Sequence, residues 1–169
     1  LLNFTLSDRL ILVEGNAEYI LMEKFFKIIH KDEPNKFSVS IISVDGLSFK
    51  RYLEIAKNFS NKKVAVITDN DGDYSTNIKE NYSNYDNCDN IKVFSDINND
   101  NRTFEVCLYN RNKELIKKFK ITQSSDIQAY MLREKAEFAL RLLEMLELDN
   151  NKFKIPEYIE EAIKWVVKN

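Results

Sequence analysis

An α/β fold, a mainly parallel sheet flanked by helices with a C-terminal helical extension, is predicted by three observations. Three short apolar, β-branched runs each end at an acid and a glycine. Helically spaced apolar residues separate the runs. The runs are nearly continuous in hydrophobicity, which suits strands buried on both faces.

The elements follow in order. Leu10-Ile11-Leu12-Val13 precedes Glu14-Gly15, Val39-Ser40-Ile41-Ile42-Ser43-Val44 precedes Asp45-Gly46, and Val64-Ala65-Val66-Ile67-Thr68 precedes Asp69-Asn70-Asp71-Gly72. Between the first two, Ile20, Leu21, Phe25, Ile28 and Ile29 recur at helical spacing over residues 17–29. Between the second and third, Phe49, Tyr52, Leu53 and Ala56 repeat the pattern, with Ser48 as a cap. Strand–helix–strand order implies parallel strands with helical crossovers. A fourth strand is expected at Ile91–Phe94. Residues 70–90, rich in Asn, Ser, Tyr and Asp, lack periodicity and read as a long surface loop of the kind that carries function. Beyond residue 103 the pattern is mostly helical: a mixed segment to 120, a long helix near 125–147, and a last helix from Pro156, a first-turn proline, to Val167.

The 169 residues suit a single domain, with a core over about 8–110 and the helical extension over about 111–169. The Leu-Leu start without Met suggests a piece of a longer protein. No apolar run approaches the roughly 18 residues of a membrane helix, and residues 10–13 are too short for a signal-peptide core. The expectation is a cytoplasmic protein with no membrane partner. Cys88 and Cys107 are too few for a zinc site or disulfide framework, and a lone His30, read as a surface residue near a helix end, weakens histidine-based chemistry. No Walker A loop is present, so no ATP site is expected. A net charge of −2 excludes a domain that attracts nucleic acid by overall charge.

In an open parallel sheet, functional loops lie beyond the carboxyl ends of the strands. Glu14, Asp45, Asp69, Asp71 and Asp73 all fall on that edge. Glu14 and Glu18 are spaced to meet there if one ends the strand and the other opens the helix. Asp69 and Asp71, two apart in an extended segment, point the same way. Glu105 follows the fourth strand and can approach. Several carboxylates cannot converge uncompensated. Hard divalent cations, Mg²⁺, Mn²⁺ or Ca²⁺, suit an all-oxygen set. Two such ions about 4 Å apart can clamp a phosphodiester and activate water. Singly, each acid has a plainer role: Glu18 as a helix N-terminal charge, Asp71 and Asp73 as turn formers, Asp45-Gly46 as a turn dipeptide. An EF-hand reading of Asp69, Asp71, Asp73 and Glu80 fails at Tyr74, where that loop needs glycine.

Lys135 shares the register of an apolar stripe formed by Ile127, Met131, Phe138, Ala139, Leu142 and Leu146. Spacing alone leaves two roles open: snorkelling to solvent, or meeting the acids and a phosphate. Lys113, Lys117, Lys118 and Lys120 form the best basic cluster for nucleic-acid contact; Lys50-Arg51 and Lys62-Lys63 are others, and any of these can be a solvated face.

Leu12-Val13-Glu14-Gly15-x-x-Glu18 resembles the first motif of TOPRIM domains, and Thr68-Asp69-Asn70-Asp71 resembles their Asp-x-Asp motif. The finer resemblance is to the C-terminal TOPRIM domain of OLD-family (overcoming lysogenization defect) ATP-dependent endonucleases, the group of the Gabija nuclease. Ile42-Ser43-Val44-Asp45-Gly46 (where a glycine is more usual at Asp45), Arg102-Thr103-Phe104-Glu105, Lys135-Ala136-Glu137-Phe138-Ala139 and Ile155-Pro156-x-Tyr158-Ile159-x-x-Ala162-Ile163 extend it in order along the chain. The resemblance implies a Rossmann-like TOPRIM sheet and two-metal hydrolysis of DNA. It implies metal ligation by Glu14, Glu18, Asp69, Asp71 and Glu105 and a catalytic role for Lys135 with Glu14 and Asp69. Asp45 and Asp73 are possible additional ligands. It also implies an N-terminal ABC-type ATPase outside this chain, a homodimer through that missing part, and a role in phage defence or DNA processing. Two alternatives stand beside it: a phospho-signalling receiver-like module with Asp69 as acceptor, and a non-catalytic TOPRIM domain that binds partners.

Overall fold

The computed structural model describes residues 2–45, 48–59, 61–118 and 125–168. Gly46 and Lys120 lie outside the described residues.

Four strands, β1 (Arg9–Val13), β2 (Val39–Ser43), β3 (Lys63–Ile67) and β4 (Ile91–Phe94), form one parallel sheet in the order β2-β1-β3-β4. The two central strands are the most apolar because both their faces are covered. Ile11 and Val13 of β1, with Ala65 and Ile67 of β3, enter one core cluster; Leu10, Leu12, Val64 and Val66 enter the other. The two-residue period of the strands thus divides the hydrophobic set between the faces. Edge strand β2 is only partly buried.

Helix α1 (Leu2–Leu6) precedes β1, and α2 (Asn16–His30) follows it. Helix α3 (Phe49–Ala56) is capped by Ser48, whose side chain accepts from the Lys50 amide at 3.3 Å. With Phe4 and Tyr85, α3 covers one face of the sheet. The other face is covered by α2, α4 (Phe104–Lys118, kinked at Asn112), α6 (Lys135–Leu148) and α7 (Glu157–Val167). The C-terminal helices therefore belong to the main core: Phe138, Leu142, Ile159, Ile163 and Val166 are all fully buried there.

Four details depart from expectation. The long helix is two, α5 (Ile127–Arg133) and α6, broken at Glu134, where φ −112° and ψ 49° leave the helical region. Lys135 is consequently the first residue of α6, not mid-helix. The stretch read as a surface loop contains helical turns at Ser75–Glu80 and Ser83–Tyr85, held by buried Ile78 and Tyr85; a single apolar residue per turn gave no period to read. Pro156 is the N-cap of α7, one position ahead of its first turn. His30 is partly buried, its ring between Phe26 and Phe37 at centroid distances of 4.7 and 5.1 Å.

Candidate metal centre

The strand order reverses between β1 and β3: the chain leaves β1 toward β2, then crosses back to β3. The carboxyl ends of these two adjacent strands therefore border the crevice where open α/β sheets bind ligands. Glu14 follows β1 and Asp69 lies two residues past β3. Two helix N-termini face the same space. Glu18 sits in the first turn of α2 and Glu105 in the first turn of α4. Lys135 enters from the start of α6, and its Nζ lies 3.2 Å from Glu105 Oε2.

The electrostatics show that these five groups share one site. Burial pushes the Asp69 carboxyl up to about 8, and the charges of Glu18, Glu14 and Glu105 push the same way, with Lys135 opposing. Burial likewise raises Glu18 to about 7; a backbone hydrogen bond resists, Glu105 and Glu14 add to the rise, and Lys135 lowers it. Desolvation acts to lower Lys135, but Glu105, Asp69 and Glu18 together hold its ammonium above the ordinary value. Glu105 is 0% exposed, and neither of its carboxylate oxygens has a hydrogen-bond partner. Its contact with Lys135 is an ion pair by distance without hydrogen-bond geometry.

These residues fit a hard divalent cation. Mutually repelling carboxylates, with both oxygens of buried Glu105 lacking a hydrogen-bond partner, call for positive charge that a single half-exposed lysine does not supply. Among the described residues, no three His, Cys, Asp or Glu side chains are drawn close enough to hold an ion as they stand.

The other sequence-derived candidates lie differently. Asp71 is exposed and left-handed at φ 50°, so the Asp69–Asp71 segment is not extended and the two side chains do not share a direction. The amide of Asp71 donates instead to the Arg102 carbonyl at 3.0 Å. Asp45 is exposed with φ 53°, a conformation that favours glycine, and its amide donates to the Glu14 carbonyl at 3.2 Å. Asp73 accepts from the Thr76 amide at 3.1 Å, and that bond lowers its pKa; it caps the helical turns. Lys113, Lys117 and Lys118 are exposed on the half of α4 remote from Glu105, with Lys117 paired to Glu114 at 3.8 Å. The pair Lys62-Lys63 is no solvated patch. Lys62 is 4% exposed and donates to the Thr5 and Ser7 carbonyls at 2.7 Å, while Lys63 donates to the Lys168 carbonyl and lies over the Trp165 ring.

Two contacts with Glu14 come from the fold. Thr68 Oγ1 donates to Glu14 Oε2 at 3.3 Å, and the Tyr82 hydroxyl faces Thr68 and the Glu14 charge. Thr68 stands in the Asp-x-Asp motif segment just past β3 and Tyr82 in the aperiodic stretch, where its sequence context suits packing or base contact, but spacing does not reveal that either meets Glu14. A cavity of about 840 Å³, bordered by Arg9, Lys36, Lys63 and Lys168, lies at the opposite, amino edge of the sheet and contains none of the site acids.

Residues 6–71, from just before β1 through Asp71, match the family model described as "Overcoming lysogenization defect protein-like, TOPRIM domain". The chain is also similar in structure to the C-terminal region of the Burkholderia pseudomallei OLD protein. The TM-score is 0.66 at 17% identity, over 96% of this chain and 98% of that one. The C-terminal region of the Xanthomonas campestris pv. campestris OLD protein gives a TM-score of 0.66 at 16% identity, over 98% and 94%. No curated protein matches significantly. Over residues 6–71 the chain is thus similar to the OLD-like TOPRIM family, and its α/β fold is that of the C-terminal regions of OLD proteins.

Proposed function

We propose that this domain is a divalent-metal-dependent endonuclease that hydrolyses DNA phosphodiester bonds. The observation that carries the reading is the meeting of Glu14, Glu18, Asp69 and Glu105, from four separate elements, with Lys135 at the switch point of the sheet. Glu14, Glu18, Asp69 and Glu105 would hold Mg²⁺ or Mn²⁺ (or Ca²⁺), with Asp71 able to join only if its exposed side chain turns inward. Bound there, such ions supply Lewis acidity toward the phosphate and a lowered pKa for the attacking water. The carboxylates orient the site, and the protons that Glu18 and Asp69 retain in the metal-free chain would give way to the cation. Thr68 fixes one oxygen of Glu14 by hydrogen bonding. Lys135, held charged by its acidic neighbours, places a cation where negative charge builds on the phosphate oxygens.

The same reading assigns DNA as the partner, an ABC-type ATPase and a dimer interface to a longer parent protein, and phage defence or DNA processing in the cytoplasm as the setting. No helix is long and apolar enough to cross a membrane among the described residues.

The test is conversion of supercoiled plasmid to nicked and linear forms with Mg²⁺ or Mn²⁺, set beside Mn²⁺ binding followed by electron paramagnetic resonance. Wild-type chain should cut and bind Mn²⁺, and Asp69→Ala should do neither. Cutting by Asp69→Ala at the wild-type rate would remove the proposal.

A further inference from the structure

Beside the acid cluster, along the β4 edge, a cleft of about 370 Å³ is bordered by Tyr74, Lys79, Tyr82, Tyr85, Lys92 and Trp165. We propose that this cleft seats an unpaired nucleobase of the DNA strand whose phosphodiester lies at the acids, making the substrate single-stranded or locally opened DNA. The inference rests on the hydrolytic reading above and names its substrate class.

Three observations carry it. The volume falls within the range of about 300–1,000 Å³ typical of small-molecule sites. The walls combine aromatic rings with cations: Lys79 Nζ lies 5.8 Å from the Tyr74 ring, and Lys79 and Lys92 are exposed. Aromatic faces interleaved with lysines are what single-stranded nucleic acid requires, the rings stacking on bases and the ammonium groups neutralising phosphates. Tyr82 belongs to both places: it borders the cleft, and its hydroxyl faces Thr68 and the Glu14 charge. A base against Tyr82 therefore lies next to the hydrolytic centre.

Asp86 and Asp89 stand among its walls and repel phosphate, so the backbone runs past Lys79 and Lys92. A paired duplex keeps its base faces stacked inside and cannot offer one to Tyr82 without extruding it.

Trp165, the only tryptophan of the chain, reports on occupancy. One ring face lies under Lys63 Nζ at 4.6 Å, and the indole still borders the cleft. Indole fluorescence is titrated with a thymidine oligonucleotide and with a blunt duplex of equal length, both with calcium present. The single strand should quench Trp165, and the duplex should bind at least about 10-fold more weakly, the effect of losing one stacked base. Tyr82→Ala and Lys92→Glu should each weaken binding by a comparable factor. Tyr19→Ala, half-exposed and outside the cleft, should not. Thermal melting checks the fold; should Tyr82→Ala unfold the chain, Lys79→Glu takes its place. Equal binding of duplex and single strand, or cleft variants that bind like wild type while Asp69-dependent cutting persists, overturns the inference and leaves the hydrolytic reading intact. Quenching that depends on Tyr82 without Asp69-dependent cutting supports the cleft and sinks the hydrolytic reading.

Discussion

Lys135 Nζ stands 3.2 Å from Glu105 Oε2, joining the first residue of α6 to a carboxylate with 0% exposure in the first turn of α4. The break at Glu134 makes this possible. Had α5 and α6 run on as one helix, Lys135 would have followed Met131 into the apolar interface. The lysine acts on a charge inside the site, so its removal should affect chemistry more than folding. Lys135→Ala should lower plasmid cutting by about 100-fold, the scale of losing one preorganised electrostatic contact. Mn²⁺ binding should persist, because the acids remain. Cutting within a few-fold of wild type would return Lys135 to a snorkelling surface residue.

Asp69 is destabilising while no cation is bound. Burial and three neighbouring carboxylates raise it to about 8, which means its charged form is disfavoured in the folded chain. Asp69→Asn keeps the shape and removes the charge. In EDTA the variant should therefore melt higher than wild type. On addition of Mn²⁺ the order should reverse, because only wild type gains binding free energy. A variant that melts lower than wild type in EDTA would show that Asp69 is compensated by the protein itself.

The same groups set the pH response of the metal-free chain. Glu18 is raised from 4.5 to about 7 and Asp69 from 3.8 to about 8. Folded values above unfolded ones mean that the folded state binds more protons. The associated stability is complete below about pH 4 and is lost as pH rises through the folded values. Melting temperature in EDTA should fall steadily between pH 5 and pH 8, and Mg²⁺ should flatten the slope by replacing protons with a cation. Scanning calorimetry across this window checks the sign; a melting temperature that climbs with pH would refute the assignment.

Much of this architecture was legible because its signals are local. Strands β1 and β3 announce themselves by apolar runs too short for helices, and the acids at their ends follow from where runs stop. Glu14 and Asp69 could be named because each sits at such a boundary, Glu18 by its spacing from Glu14, and Glu105 by the motif around it. What escaped is set by tertiary packing. The break at Glu134 has no proline or glycine to mark it. Asp71 fails to join the other acids because its backbone turns left-handed, a conformation that aspartate reaches at modest cost and that spacing does not reveal. The Thr68–Glu14 bond spans 54 positions of sequence and depends on the sheet register. Lys62, in a basic doublet, is consumed by two backbone carbonyls of the segment before β1.

Asn70, the residue between Asp69 and Asp71, supplies a final prediction. It is 1% exposed, and its Nδ2 donates to the carbonyls of Asp96 at 2.7 Å and Asn98 at 3.0 Å. Its Oδ1 accepts from the Gly72 amide at 2.8 Å, where φ of +85° requires glycine. One side chain thus ties the turn after β3 to the segment joining β4 to α4, the two connections that present Asp69 and Glu105. Asn70→Ala removes three hydrogen bonds and strands buried partners, a loss of about 3 kcal/mol at roughly 1 kcal/mol each. Urea unfolding should show the midpoint shifting with the slope unchanged. Mn²⁺ affinity should fall as well, since Asp69 and Glu105 lose their common anchor. Asn70→Asp separates the two effects. It retains the acceptor for Gly72 but sets a carboxylate against two carbonyls, so it should destabilise at least as much as alanine. An Asn70→Ala variant with wild-type stability and Mn²⁺ binding would show that the two connections hold their acids independently.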